Sequence, residues 1–161
     1  MKKLLLKRNG STTLLRKSLS FLPPEEEREG DALVDQFLSE LGGAGVKIIR
    51  DEGRRGNHFR FEQGKTGVEV SLHGATQRWW GVAENYVKKV EKGKDHWGVV
   101  FLTPTERFWV DGRNFRTVVT GDLDAANGYN VHLDRLKGSS SANRFSSVRE
   151  FLSISGLRSL P

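Results

Sequence analysis

The sequence predicts an α/β domain with a central mixed β-sheet that contains a β-hairpin and is flanked by helices. Three observations predict this fold class. A stretch with apolar residues at helical spacing comes first, and two segments with alternating apolar and polar residues follow it. A second helical stretch then separates this pair from further β-prone segments. The 18 glycines among 161 residues are typical of a fold with many tight turns.

The first helix is predicted to begin at the acidic residues 25–27, because carboxylates stabilise the positive end of the helix dipole. Its apolar residues recur at helical spacing and are Leu33, Val34, Phe37, Leu38 and Leu41. Gly42 and Gly43 are predicted to end this helix. Residues 46–49 follow as a predicted strand.

Residues 58–62 and 68–73 predict a β-hairpin joined by residues 63–67, because apolar residues alternate with polar ones in both segments. One face of this hairpin is predicted to enter the core and carries Phe59, Phe61, Val68, Val70 and Leu72. The opposite face carries His58, Arg60, Glu62, Glu69, Ser71 and His73. We expect cross-strand pairs on that polar face. They are Arg60 with Glu69, and Glu62 with His73.

The remaining segments complete the predicted domain. Residues 77–92 are predicted as a helix that ends at Gly93, with an apolar side made of Trp80, Ala83, Val87 and Val90. Further β-prone segments are residues 97–102, 108–110, 115–120 and 131–136. A flexible linker at 138–141 and a short helix at 146–154 are expected to follow. The chain then divides into a basic arm (1–24), one globular domain (25–136), and a Ser/Gly linker with a short C-terminal helix (137–161).

The net charge of +6 resides in the arm, because residues 1–24 contain six Lys or Arg and no acid. Three interpretations of the arm stay open: contact with nucleic-acid phosphates, an organellar transit peptide, or a solvated tail. We otherwise expect a cytoplasmic protein with no membrane partner, since no apolar run approaches the roughly 18–20 residues of a membrane span.

Several function classes lack their sequence signatures. The chain has no cysteine, which excludes a disulfide scaffold, a thiolate zinc site and a cysteine nucleophile. It also has no P-loop, no GxGxxG, no HExxH and no GxSxG motif. Nucleoside triphosphatase, Rossmann oxidoreductase and serine hydrolase activities are therefore unsupported.

The predicted order of helix, three strands, helix and two strands resembles the core of the PD-(D/E)xK nuclease superfamily, which includes many restriction enzymes and Holliday-junction resolvases. The resemblance covers roughly residues 29–111. By position, Asp31 or Glu29 corresponds to the acid of the family's first helix. Asn57-His58 stands at the Pro-Asp dipeptide, and Glu69-Val70-Ser71 stands at Glu-x-Lys. The glutamate matches, whereas the aspartate and the lysine do not.

This resemblance implies a DNA-binding protein with a restriction-endonuclease-like core, and an Mg²⁺-dependent endonuclease as its specific form. Glu69 would then hold the metal, with Glu62 or Asp31 as the second carboxylate that a hard cation needs. Since Ser71 replaces the lysine, His58, His73 or Lys65 would act in its place.

Other interpretations of the same residues stay open. The core can serve a non-catalytic module that binds nucleic acid or a protein. The polar hairpin face can be a solvent-exposed surface without chemistry. Its two histidines and one glutamate can also bind a transition metal.

Basic and aromatic residues outside the motif suggest contacts to DNA. Arg54 and Arg55 lie in a glycine-flanked turn, where guanidinium groups can bind phosphate. Arg78 and Trp79 can stack on bases, although a Trp at helical spacing more often belongs to the core. Three lysines complete the candidate set, namely Lys65, Lys88 and Lys89. The expected partner is nucleic acid, with DNA favoured and a homodimer left open.

Overall fold

The computed structural model describes residues 25–51, 58–75, 78–93, 95–121 and 128–157. The basic arm and the Arg54-Arg55 turn lie outside these ranges. The described strands are β1 (Lys47–Arg50), β2 (His58–Gln63), β3 (Thr66–Gly74), β4 (Trp79–Ala83), β5 (Trp97–Leu102), β6 (Arg107–Asp111), β7 (Gly128–His132) and β8 (Ala142–Arg144).

Six of these strands form one mixed sheet in the order β1-β2-β3-β5-β6-β8, and β4 pairs with β7 in a separate antiparallel ribbon. Within the large sheet only β3 and β5 are parallel. Parallel neighbours need a long crossover, which here contains β4 and a helix. The predicted α/β fold with a central mixed sheet is confirmed.

The described helices are α1 (Glu25–Gly43), α2 (Glu84–Lys92), α3 (Phe115–Val118), α4 (Leu133–Lys137) and α5 (Val148–Ile154). In this part of the chain no helix has the length and apolar character needed to cross a membrane. The predicted first helix and final helix are confirmed, and Gly93 caps α2 as predicted.

The large sheet is covered on both faces. On one face α1 and α5 contribute Phe37, Leu41 and Phe151 to a core with the apolar side of the hairpin. On the other face α2, the ribbon and α3 contribute Val87, Val82 and Phe115 to a second core. Hydrophobic burial therefore stabilises both sides of β3 and β5, which run through the middle of the sheet.

The hairpin is confirmed with a shorter turn than predicted. Its strands extend to Gln63 and Thr66, so the loop between them is Gly64-Lys65, where Gly64 adopts a positive φ of 61°. All five predicted core residues are buried. The register pairs Arg60 with Glu69 as predicted, but it places Glu62 opposite Gly67. The predicted pairing of Glu62 with His73 is therefore wrong.

Four other predicted elements are corrected. Residues 79–83 form β4 rather than a helix, because Trp80 and Val82 alternate with exposed neighbours. Residues 115–118 form α3 rather than a strand, and β7 ends at His132, after which Leu133 and Leu136 are buried along α4. The segment predicted as a linker, 138–141, is a turn that leads into β8, which pairs with β6.

The two faces of the hairpin predict different costs of truncation. Phe61 is fully buried, so we expect Phe61→Ala to lower the free energy of unfolding by about 3–5 kcal/mol through lost burial and a cavity. Glu62 is one-third exposed and bound to a surface arginine, so Glu62→Ala is expected to cost about 1 kcal/mol or less. Urea unfolding of both variants measures the difference, and equal costs would contradict the assigned faces.

Candidate functional site

The side chain of Arg60, in the middle of β2, binds three carboxylates. Its Nη1 lies 2.8 Å from Glu69 Oε2 and 3.4 Å from Asp95 Oδ2, and its Nε lies 2.9 Å from Glu62 Oε2. The hydrogen bonds to Glu69 and Glu62 raise the pKa of the Arg60 guanidinium. We call these four residues the Arg60 cluster. The glutamate that matches the nuclease motif is thus the partner of a permanently charged arginine.

Further along the same face of the hairpin, the polar side chains are buried beneath α2. His58 and Ser71 are register partners and are 8% and 0% exposed. The ring of Tyr86, from α2, stacks on His58 at a centroid distance of 4.1 Å. Ser71 Oγ lies 2.6 Å from His73 Nε2. We call these four residues the buried histidine cluster. The interpretation of the whole polar face as solvent-exposed is therefore wrong, because a second layer covers this half of it.

The surroundings of His73 make its imidazole much harder to protonate. Burial, with a smaller effect of the neighbouring His58, lowers the pKa of His73 to about 3. The imidazole is therefore neutral near pH 7, where it shares a hydrogen bond with Ser71 and stacks on Phe101 at 5.9 Å. A neutral ring held in this way stabilises the packing between β3 and β5.

The structure does not bring Asp31 to Glu69. Asp31 is exposed on α1, which packs on the opposite face of the sheet. The start of α1 lies against the far end of β3, since a Cβ on Gly30 would collide with the carbonyl oxygen of Gly74. Gly74 follows Glu69 by five positions in β3, which is roughly 16 Å along the strand.

The residues proposed as metal ligands fit a cation poorly in this arrangement. Glu62 and Glu69 do come together, but both bind the same guanidinium, whose positive charge opposes a metal ion at that place. The described ranges contain no group of three or more His, Cys, Asp or Glu side chains placed to hold a metal. His58 and His73, considered for a transition metal, are held by Tyr86 and Ser71.

The candidate DNA-binding residues that the structure describes lie on the surface. Lys65 is exposed in the hairpin turn. Lys88 and Lys89 are exposed on α2, and they pair with Glu84 at 3.5 Å and Asp51 at 2.7 Å. Such exposed pairs are weak, so their lysines can exchange a carboxylate for a phosphate.

Arg78 and Trp79 lie together at the start of β4. Arg78 pairs with Asp134, and its side chain is 65% exposed. Trp79 is 48% exposed, while its neighbour Trp80 is buried. Of these two tryptophans, only Trp79 is therefore open to solvent.

A second charged group consists of His96, Asp111 and Arg113, and the sequence did not predict it. His96 Nε2 lies 2.7 Å from Asp111 Oδ2, and the backbone N–H and Nε of Arg113 both donate to Asp111 Oδ1 at 3.0 Å. Burial alone would raise the pKa of Asp111, but Arg113 and His96 outweigh it and lower that pKa. The local signal was the Asp111-Gly112 turn, where the carboxylate caps a 3₁₀ helix. His96 comes from a distant segment, so spacing did not reveal the pair.

Comparison with known proteins supports the fold. A solved structure of Archaeoglobus fulgidus Hjc, a Holliday junction resolvase from an archaeal hyperthermophile, superimposes with a TM-score of 0.53. The similarity covers 81% of this chain and 98% of that chain, at 11% sequence identity. No protein-family model and no curated protein matches the chain. This similarity confirms the fold that the resemblance in the sequence implied.

The buried histidine cluster predicts a pH dependence of stability. An unfolded histidine takes up its proton near pH 6.5, whereas folded His73 does so only near pH 3. The free energy of unfolding therefore falls as the pH falls through this window, because the unfolded state binds more protons. We expect His73→Gln to reduce the slope of the free energy of unfolding against pH by up to about 1.4 kcal/mol per pH unit. Urea unfolding of the wild type and His73→Gln between pH 7 and pH 4.5 measures this difference. Equal slopes of the free energy of unfolding against pH in the two proteins would refute the lowered pKa of His73.

Proposed function

We propose that this chain is a DNA-binding module built on a nuclease-like fold and that it binds without metal-dependent cleavage. The observation that carries the proposal is the hydrogen bond between Arg60 and Glu69, the one motif residue that matches the family. The resolvase-like fold supports DNA as the partner.

The chemistry of cleavage supports the proposed absence of metal-dependent cleavage. Hydrolysis of a phosphodiester at a metal site needs carboxylates free to bind the cation and a group that activates water. In this chain Glu62 and Glu69 each bind Arg60 through one carboxylate oxygen, so neither is free of a partner. Ser71, at the position of the lysine, is fully buried and hydrogen-bonded to a neutral histidine. Neither feature favours a cation or an attacking water.

The distribution of charge supports the proposed binding of DNA. Residues 1–24 carry all of the net positive charge, and Lys and Arg side chains bind the phosphate backbone without sequence preference. Exposed Lys88 and Lys89 offer further contacts on α2. A complex held in this way weakens steeply as the salt concentration rises.

A metal-dependent endonuclease is the second candidate, and the resolvase-like fold favours it. For this activity Arg60 would have to release Glu69, and Glu62 or another acid would have to complete an Mg²⁺ site. Each function therefore predicts a different role for Glu69, as a partner of arginine or as a metal ligand.

A binding and cleavage assay on the full chain separates the two candidates. A labelled four-way junction, a duplex and a single strand of related sequence are incubated with Mg²⁺, Mn²⁺ or EDTA at several salt concentrations. We expect complexes in all three conditions, a steep salt dependence and no cleavage product. Because one surface charge contributes about 1 kcal/mol or less, Glu69→Gln should change the affinity by about fivefold at most.

Two results would contradict the proposal. Cleavage that needs Mg²⁺ or Mn²⁺ and is lost in Glu69→Gln would establish the endonuclease. Failure to bind any of the three DNA forms at low salt would remove DNA as the partner and favour a protein-interaction module.

A further inference from the structure

The β4–β7 ribbon has one buried face and one exposed face. Trp80, Val82 and Val131 point into the second core. Trp79, Gly81 and Ala83 alternate with them along β4 and are exposed. A side of the ribbon that carries a large aromatic ring is therefore open to solvent.

The register defines what surrounds that ring. Trp79 is paired with His132, and Gly81 is paired with Asn130. Directly opposed residues point to the same side of a ribbon, so these four residues lie on one surface, which we call the Trp79 face. His132 is exposed and Asn130 is half-buried. The space above Gly81 is open, since a Cβ built there would have nothing within 4 Å.

The composition of this surface favours a flat polar ligand over an apolar protein partner. Beside Trp79 it offers a glycine, an amide and an imidazole, which is too little apolar area to anchor a protein interface. A nucleobase needs an aromatic ring to stack on and polar groups at its edges. Trp79 supplies the ring, and Asn130 supplies both a donor and an acceptor.

A charged group for the nucleic-acid backbone lies next to this surface. Arg78 immediately precedes Trp79, and its side chain is 65% exposed. It pairs with Asp134, which is itself 75% exposed, so the pair is well solvated. A guanidinium has five N–H donors, and one carboxylate does not use them all. Arg78 can therefore also contact a phosphate.

We infer that the Trp79 face binds an unpaired nucleobase of single-stranded DNA by stacking it on Trp79. This inference rests on the proposed function and specifies its substrate, because bases in a duplex are already stacked and their faces are covered. The chain should therefore prefer DNA with unpaired nucleotides to a fully paired duplex.

Fluorescence anisotropy with a labelled single strand and a duplex of equal length tests this preference. We expect Trp79→Ala to weaken single-strand binding at least about fivefold, since stacking is lost. Duplex binding should not change, and Trp79→Phe should retain most of the single-strand affinity. Ile49→Ala is the matched control, because Ile49 is the other exposed large apolar residue in the described ranges, at 38%. A second variant, His132→Ala, tests the same face without removing the tryptophan.

The outcomes distinguish the inference from the proposed function. Single-strand affinity unchanged in both Trp79→Ala and His132→Ala would overturn the inference while leaving DNA binding intact. An equal loss of affinity for the single strand and the duplex in Trp79→Ala would also overturn the inference. If sedimentation shows a dimer that Trp79→Ala dissociates, the face belongs to a second copy of the chain and the inference is wrong. Wild-type protein that binds neither DNA would overturn both proposals.

Discussion

The Arg60 guanidinium binds three carboxylates at the place where the hairpin meets the parallel strand. Glu69 belongs to β3, and Asp95 lies just before β5, so Arg60 joins β2 to both. A backbone hydrogen bond of 2.9 Å from Glu69 N to His96 O fixes the same junction. Without the arginine, three carboxylates would repel one another near the start of the parallel strands β3 and β5. These contacts add to the ladder that holds β3 beside β5.

Under the proposed function, this arrangement gives the motif positions a structural role. The matched glutamate takes part in an ion-pair cluster. The two other motif positions are filled by His58, which stacks on Tyr86, and by Ser71, which is hydrogen-bonded to His73. Their side chains stabilise the contact between the sheet and α2. Recognition would then depend on surfaces outside the motif, which here are the basic arm and the β4–β7 ribbon.

Much of the fold could be predicted from local patterns. The hairpin alternates strictly, and the predicted pair of Arg60 with Glu69 is confirmed because a two-residue turn sets the register. β4 was missed because Trp80, Ala83 and Val87 also fit a helical stripe. Its partner β7 lies about 50 residues further along the chain, so no local signal identified it.

The candidate site was harder to predict, because its contacts are distant in sequence. The burial of His58 depends on Tyr86, which belongs to a different element. The third carboxylate of the Arg60 cluster, Asp95, lies 35 residues from the arginine. A motif position can predict where a residue lies in a strand. The neighbours from other elements decide whether it can bind a metal.

A double-mutant cycle between Arg60 and Glu69 tests the central claim most directly. The free energies of unfolding of the wild type, Arg60→Met, Glu69→Gln and the double variant are measured with and without Mg²⁺. For this partly buried pair the account predicts a coupling energy of about 1 kcal/mol that Mg²⁺ leaves unchanged. A coupling near zero, together with stabilisation by Mg²⁺ that disappears in Glu69→Gln, would show that Glu69 is a metal ligand and would contradict the account.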